Sequence, residues 1–203
     1  LKVVDGFSNQ LYDWLQAGRA DVAVLTNPVN SRTVKVTPLI SEPVVVYAKS
    51  QPRGGKRFFT VADLARTPVV STEAIRLIAD EQLQRYKARV RVEAEIDSVE
   101  AIRRLVLRGT NMALMPVSTF HEDVTSGKLT AWPIADANIH RILTLGQQAD
   151  RRPSAAIDEV AQIMGAEVRA LAESGVFSLP GGNNVAVRAP RSRKTRHQEK
   201  DSA

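Results

Sequence analysis

Cysteine is absent from the 203 residues, so the chain can form neither disulfides nor thiolate metal sites, and it suits a reducing compartment. Long apolar runs are also missing, because no stretch approaches the roughly 18 to 20 apolar residues that a membrane span needs. Residues 1–10 contain no apolar signal region and no initiator methionine. We therefore expect a cytoplasmic chain without a membrane segment that begins inside a longer gene product or has been processed.

Motifs of catalysis are missing as well. The sequence contains no G-x-S-x-G, H-E-x-x-H, P-loop or G-x-G-x-x-G pattern. Of its three histidines, His121 has Glu122 and Asp123 beside it, but adjacent residues on a helix do not face one site. No pair of carboxylates is singled out for acid–base work. These absences predict a protein that is not an enzyme and that uses neither a metal nor another cofactor.

The formal charge of +6 is concentrated at one end of the chain. Residues 186–203 carry six basic and two acidic side chains, which leaves only +2 for the remaining 185 residues. Such a basic, apolar-poor segment is typical of a solvated, disordered end. We therefore predict a disordered basic tail over residues 181–203, with weak contact to polyanions as the alternative.

Predicted strands and helices alternate along the folded body, which is typical of an α/β protein with parallel strands. One helix is capped by Ser8 and ends at Gly18, and residues 21–26 then read as a buried parallel strand. A similar unit about 90 positions later has Ser98 as the cap and Gly109 at the helix end. The pattern is generic, so it does not by itself establish an internal repeat.

Hydroxyl and amide residues cluster at the predicted carboxyl ends of strands. These residues are Asn27, Ser71, Thr72, Ser98 and Ser118. In parallel sheets ligands bind beyond such strand ends, where helix N-termini offer unpaired N–H groups and partial positive charge to an anion. Each residue alone is better explained as an ordinary helix cap. Together they favour a cleft that binds a carboxylate or a similar anion.

Five segments, in order, resemble those of LysR-type transcriptional regulators. The first is VVDGFSNQLYDWLQAGRADVAVL, residues 3–25, in which Gly18 and Asp21 stand where the family has its Gly-x-x-Asp strand. The others are TPLISEPVVVYAKSQP, FTVADLARTPVV, DSVEAIRRLVLRGTNMALMP and GKLTAWPIADANIHRILTLG. Asn111 replaces the second glycine of the family's Gly-x-Gly in the fourth segment. The resemblance covers residues 1 to about 175, and AWPI resembles the nitrogen-assimilation-control branch.

The resemblance implies a type 2 periplasmic-binding-protein-like fold, in which two Rossmann-like lobes are joined by two crossover strands. Lobe I would comprise residues 1–69 and 139–180, and lobe II residues 70–138. The family's DNA-binding helix-turn-helix and the first strand and helix of lobe I have no counterpart in the sequence. We therefore expect an N-terminally truncated effector-binding domain.

The resemblance also implies where a metabolite and a second subunit would bind. An effector would lie in the cleft between the lobes. The cleft positions carried over from the family are Asn27, Ser71, Thr72, Ser98 and Pro116. Dimerisation would use side-by-side antiparallel helices. The residues predicted at that contact are Leu11, Trp14, Leu15, Ile102 and Leu105.

We accordingly expect the effector-sensing and dimerisation domain of a bacterial regulator, which binds a small anionic metabolite and forms a homodimer or homotetramer. DNA would be bound only through a helix-turn-helix domain that this chain lacks. Two alternatives remain open. One is a solute-binding protein of a transporter, which shares the fold and should be monomeric, and the other is a ligand-free dimerisation module.

Overall fold

A computed structural model describes residues 1–28, 31–49, 58–150 and 154–179. The strands are β1 Val22–Thr26, β2 Val34–Ala48, β3 Val69–Ser71, β4 Val92–Glu95, β5 Met112–Pro116, β6 Thr130–Trp132 and β7 His140–Gln148. The helices are α1 Ser8–Gln16, α2 Val61–Arg66, α3 Glu73–Leu83, α4 Val99–Arg108, α5 His121–Thr125 and α6 Ala155–Glu173, with a 3₁₀ turn at Gln84–Tyr86. The predicted α/β class is confirmed, and the predicted basic tail at 181–203 lies outside the described residues.

The strand β2 belongs to two halves of the sheet. Residues 34–43 pair antiparallel with β7, whereas residues 44–48 pair antiparallel with β5 and β6. The strand order is β1-β7-β2-β5-β3-β4, with β6 beside β2. We define lobe I as α1, β1, the first part of β2, β7 and α6, and lobe II as the elements between residues 44 and 138. The two crossover strands are β2, which continues from one lobe into the other, and β7, which begins at the crossing.

The lobe boundary predicted at residue 69 is wrong for the segment that begins at Val44. That segment pairs with β5, and Val44 and Val46 share a core cluster with Val61 and Leu64 of α2, all in lobe II. A strand that continues from one lobe into the other has no turn at the crossing, so composition offers no signal for it. The predicted return at residue 139 lies next to the start of β7 at His140.

In lobe I, helices cover both faces of a three-stranded sheet. Leu15 of α1 packs with Leu25 and Val34 on one face. Ile40 and Leu143 pack on the other face, with Val168 of α6 against them. The strand β1, predicted to be parallel, pairs antiparallel with β7, and its outer edge has no partner strand among the described residues.

Lobe II has the same layered plan around a mixed sheet. The strand β3 runs parallel to β4 and β5, whereas β2 is antiparallel to β5. Alternate side chains of β2 point to opposite faces, so Val46 packs in the cluster that contains Ile75 of α3, and Tyr47 packs with Ile102 of α4. Because both faces are covered, residues 44–48 are buried throughout.

The capping predictions have different outcomes in α1 and α4. The residue before α1 is Phe7, which makes no side-chain cap, and Ser8 is already the first helical residue. In α4 the hydroxyl of Ser98 accepts a hydrogen bond from the N–H of Ala101, as predicted.

None of the helices in the described ranges combines the length and the apolar character that a membrane crossing requires.

Candidate functional site

A cavity of about 480 Å³ lies between the two lobes. Lobe I contributes the start of α1 and the end of β1, and lobe II contributes the start of α3 and the residue before Ser98. The lining residues are Phe7, Ser8, Asn9, Tyr12, Asp13, Thr26, Asn27, Pro28, Thr72, Glu73, Ala74, Leu77, Ile78 and Asp97. A concave site of this size suits a small molecule. Because both lobes line it, a bound molecule would contact both.

Ser8 joins the start of α1 to the end of β1. Its hydroxyl oxygen accepts a hydrogen bond of 2.9 Å from the backbone N–H of Thr26. The hydroxyl proton can still be donated, because a serine hydroxyl both donates and accepts. Ser8 thus fixes the lobe I wall of the cavity instead of capping its helix.

Asn27 is held in an uncommon backbone conformation directly after β1. Its φ of 43° lies in the left-handed region, which asparagine tolerates better than most residues. Its side-chain oxygen accepts a hydrogen bond of 2.6 Å from the N–H of Ile142, and its own N–H donates to the carbonyl of Ile142 at 3.0 Å. The side-chain amide nitrogen makes no hydrogen bond with a described residue, so it can donate to a ligand.

Thr72 begins α3 on the opposite wall. Its hydroxyl accepts a hydrogen bond of 3.3 Å from the N–H of Ile75 and so caps the helix. The starts of α1 and α3 therefore face the same cavity from different lobes. Each helix start carries a partial positive charge of about half an elementary charge.

The structure places three of the predicted cleft residues away from the cavity. Ser71 is fully buried in β3 and donates a hydrogen bond of 2.9 Å to the carbonyl of Leu114. Ser98 caps α4, and Pro116 lies in β5, where its carbonyl accepts a hydrogen bond from Tyr47. Asn27 and Thr72 do line the cavity, and their contact with an effector stays a prediction.

The charged residues of the cavity are all acidic. Asp13, Glu73 and Asp97 line it, and the described lining contains no lysine, arginine or histidine. All three side chains belong to exposed residues, and none forms an ion pair with a described residue. Sequence reasoning could not find this set, because the three residues come from separate segments that only the fold brings together. Their charge is opposite to what an anionic effector would need.

The two crossover strands meet at a buried ion pair that the sequence did not single out. Glu42 is fully buried, and Nε of Arg141 lies 2.5 Å from its Oε1 atom. The other oxygen accepts a hydrogen bond of 3.2 Å from the N–H of Ser118 in lobe II. Ser118, predicted near the cleft, thus contributes its backbone to this junction.

Gln82 of α3 makes a further connection between lobe II and the start of β7. Its amide nitrogen donates to the carbonyl of His140 at 2.7 Å, and its amide oxygen accepts from the N–H of His140 at 3.1 Å. The side chain therefore pairs with the backbone as a neighbouring strand would. Together with Glu42, it fixes the position at which the chain leaves lobe II and β7 begins.

Two of the five predicted dimer-contact residues are core residues. Leu15 and Ile102 are fully buried in the clusters of lobe I and lobe II, so neither can contact a second subunit. An amphipathic helix presents only one apolar stripe, and here that stripe covers the sheet. Leu11, Trp14 and Leu105 are half-buried and remain candidates for such a contact.

A second cavity, of about 900 Å³, lies along the unpaired edge of β1. Residues 1–6 form one wall, and Trp14 of α1 and Val160 and Met164 of α6 form others. No predicted cleft residue belongs to its lining, which includes charged side chains such as Lys2 and Asp21. The cavity between the lobes, which is lined by Asn27 and Thr72, is therefore the better candidate for the predicted ligand site.

Comparison with known families gives one match over most of the chain. The family described as "LysR substrate binding domain" matches residues 1–169. A relative, the "Probable RuBisCO transcriptional regulator" of Porphyra purpurea, is 25% identical over 166 residues, which are 76% of this chain and 52% of that protein. The chain thus spans about half the length of this relative.

Solved structures with the same fold include several regulators. OxyR of Corynebacterium glutamicum superposes with a TM-score of 0.68 at 21% identity, over 87% of this chain and 57% of that one. The CcmR regulatory domain of Synechocystis PCC6803 in complex with 2-PG gives a TM-score of 0.66 at 20% identity, over 80% of each chain. The effector binding domain of QuiR in complex with shikimate gives 0.66 at 16% identity, over 80% of this chain and 79% of that one. At these identities the likeness concerns the fold alone.

Proposed function

The chain belongs to the family of LysR substrate binding domains, and we propose that it senses a small effector in the cavity between its lobes on behalf of a longer transcriptional regulator. The observation that carries this proposal is that residues of both lobes line the cavity. Its walls come from both lobes, with Asn27 at the end of β1 facing the cavity from one side and Thr72 at the start of α3 from the other.

Such a cavity can convert binding into a change of shape. A ligand that contacts both walls binds best at the lobe angle that brings the walls to the right distance. The ligand shifts the population towards this angle only to the extent that it binds this angle more tightly than other angles. The ion pair of Glu42 and Arg141 lies where β2 and β7 cross between the lobes, so it stands at the natural hinge. The binding signal would pass from the cavity to the rest of the regulator through the lobe angle.

The rest of the regulator belongs to the proposal as well. DNA would be bound by a helix-turn-helix domain of the longer protein, which would act in the cytoplasm as a homodimer or homotetramer and would catalyse no reaction. Support comes from the regulators with the same fold, two of which carry an effector in their domain, 2-PG in CcmR and shikimate in QuiR. Placement in the nitrogen-assimilation-control branch rests on residues 131–134 alone.

A thermal-shift screen of small metabolites of both charges tests effector binding. A ligand present at about 100 times its Kd should raise the Tm by roughly 5 to 10 °C for a chain of this size. The variant Ala74→Trp fills the cavity from α3 without removing a polar group, so it should abolish the shift. Ala170→Trp, at an exposed alanine of α6, is the matched control and should keep it.

Two results would count against effector binding in this cavity. The first is a ligand that stabilises the Ala74→Trp protein as much as the wild type, which would place its site elsewhere. The second is a screen in which no compound raises the Tm at millimolar concentration.

A further inference from the structure

We propose that the two lobes rotate about a line that crosses β7 and β2 from Gln82 through His140 to Pro43, and that Gln82 sets this axis. The part of the axis in effector sensing rests on the proposed function, whereas the axis itself does not depend on a ligand. The reasons are the hydrogen bonds at the outer edges of the two crossover strands and the direction of α3.

The outer edge of β7 is occupied by both lobes in turn. Strand β1 covers it over residues 143–147. Asn27 continues the pairing, since its N–H and its side-chain oxygen bond the carbonyl and the N–H of Ile142. Two residues earlier in β7, or about 7 Å along the strand, the amide of Gln82 bonds both backbone groups of His140. Lobe I therefore holds this edge as far as Ile142, and lobe II holds it at His140.

Lobe II also holds the opposite edge of the crossing, at the same level. His140 lies opposite Pro43 in the pairing of β7 with β2. The carbonyl of Pro43 accepts a hydrogen bond of 2.9 Å from the N–H of Val117, directly after β5. These three residues and Gln82 thus form one row across the two strands, with lobe II at both ends. Points on a rotation axis do not move, so the hydrogen bonds of this row can persist while the lobe angle changes.

The helix α3 connects this row with the cavity. Ala74, Ile78 and Gln82 follow one another at intervals of four residues and therefore lie on one face of the helix. The first two line the cavity, and the third bonds His140. At a rise of 1.5 Å per residue, Ala74 lies about 12 Å from Gln82 along the helix. A rotation of about 10° at Gln82 would move the cavity wall by about 2 Å, which is enough to make or break a hydrogen bond to a ligand.

A glutamine suits this position because its amide carries a donor and an acceptor in one planar group. It can therefore satisfy the N–H and the carbonyl of a single residue, as Gln82 does for His140 at 3.1 and 2.7 Å. Gln82 does not belong to the described lining of the cavity. It is accordingly a positioning residue, which fixes one end of α3 while the other end meets the ligand.

Spin labels on the two lobes measure this guidance in the full chain. Because the sequence contains no cysteine, Ala65→Cys on α2 and Ala170→Cys on α6 supply two unique labelling sites at exposed alanines. Double electron–electron resonance then gives the distribution of distances between the lobes. The labelled chain is diluted with unlabelled chain, so that only pairs within one molecule are counted.

The variant Gln82→Met keeps the size of the side chain but pairs with neither backbone group. We expect its distance distribution to widen about twofold, because α3 can then slide as well as rotate. The matched control is Gln84→Met, at an exposed glutamine whose side chain makes no hydrogen bond with a described residue, and it should keep the wild-type distribution. Ile102→Val, in the core of lobe II, lowers stability by a different route and should keep it too.

Two results of these measurements would overturn the axis. One is a wild-type distribution in Gln82→Met, and the other is an equal widening in Ile102→Val, which would indicate a general loosening of the fold. If Gln82→Met does not fold, hydrogen exchange of the wild type gives the answer. The amide of His140 should exchange at least about tenfold more slowly than that of Asn138, which bonds no described residue, and equal rates would also overturn the axis.

These outcomes are independent of the test of effector binding. No ligand enters the spin-label or exchange experiments, so a negative result there leaves effector binding in the cavity intact. A metabolite screen without any hit, combined with a widened distribution in Gln82→Met, would keep the axis and remove its part in sensing.

Discussion

Glu42 and Arg141 lie directly opposite each other on the two crossover strands, with Nε of Arg141 2.5 Å from the carboxylate of Glu42. The glutamate is fully buried, whereas the arginine side chain is 21% exposed. The pair therefore lies in lobe I next to the crossing, two residues before β2 enters lobe II at Val44 and one residue after β7 begins at His140. Its two charges stabilise each other and hold the backbone of Ser118 nearby.

Neutralising this glutamate should destabilise the fold. The variant Glu42→Gln leaves the charge of Arg141 partly buried without its partner, and we expect the free energy of unfolding to fall by about 2 to 3 kcal/mol. Urea denaturation measures the loss. The control is Glu100→Gln, whose exposed pairs with Arg103 and Arg104 should together contribute less than about 1 kcal/mol. Equal losses in the two variants would show that burial of the pair has no energetic consequence.

Tyr47 should make the protein sensitive to alkaline pH. Burial raises the pKa of its hydroxyl well above the ordinary value, and Glu42 acts in the same direction, while the N–H of Phe120 and the charge of Arg141 oppose them. The unfolded chain loses this proton near pH 10, whereas the folded chain keeps it to higher pH. Stability from this group is therefore complete below pH 10 and falls above it, by up to about 1.4 kcal/mol per pH unit.

The variant Tyr47→Phe isolates that contribution. Between pH 10 and 11 its free energy of unfolding should fall less steeply than that of the wild type, as followed by urea denaturation at each pH. At neutral pH it should cost about 1 to 2 kcal/mol, because the carbonyls of Pro116 and Val117 lose their donor. Tyr86→Phe, at a tyrosine that is 40% exposed, should keep the wild-type slope. The same slope in Tyr47→Phe would contradict the prediction.

Two glycines should respond in opposite ways to substitution by alanine. At Gly165, in the middle of α6, a new Cβ atom would lie 3.5 Å from Arg169 and 3.9 Å from Leu39, which is ordinary contact. Gly165→Ala should therefore stabilise the protein by about 0.5 to 1 kcal/mol through helix propensity. At Gly146 in β7 the Cβ atom would lie 2.7 Å from Leu25 and 2.9 Å from Leu15, so Gly146→Ala should cost about 1 to 3 kcal/mol. Thermal unfolding that ranks the two variants in the reverse order would contradict the packing described for lobe I.

The proposed homodimer can be tested at Leu105, a half-buried residue of α4. If the helix contacts a second subunit, sedimentation should show a dimer for the wild type and a monomer for Leu105→Glu. Leu171→Glu, on α6 at a leucine that is 43% exposed, is the control and should stay dimeric. A wild-type chain that sediments as a monomer at all concentrations would contradict the proposed homodimer.

Local signals in the sequence predicted the elements well. Gly109 ends α4 in the left-handed conformation, as predicted, and Thr60 and Asp63 begin α2 with a reciprocal capping box of the kind that the sequence encodes locally. These features depend on residues within one turn of each other, so the sequence contains all of their causes. The alternation of helices and strands, and with it the α/β class, follows from such local signals.

Features that depend on tertiary neighbours could not be predicted in the same way. Ser71 and Thr72 are adjacent hydroxyl residues at one strand end, yet one points into the core and the other lines the cavity. Leu15 and Leu105 both lie on amphipathic helices, and only the packed fold shows that the first is core. The acidic set of Asp13, Glu73 and Asp97 needs three segments to converge. Composition and spacing contain no information about that convergence.

The continuity of β2 has a mechanical consequence. Residues 34–48 form one uninterrupted strand, and β7 lies antiparallel beside its lobe I part up to the crossing. One lobe is thus connected to the other along the backbone of a single continuous strand, which resists bending more than a loop does. In the proposed sensor, an effector that closes the cavity would have to bend β2, and its departure would let the strand straighten again. The resting lobe angle would then be set by the backbone of β2, without a separate latch.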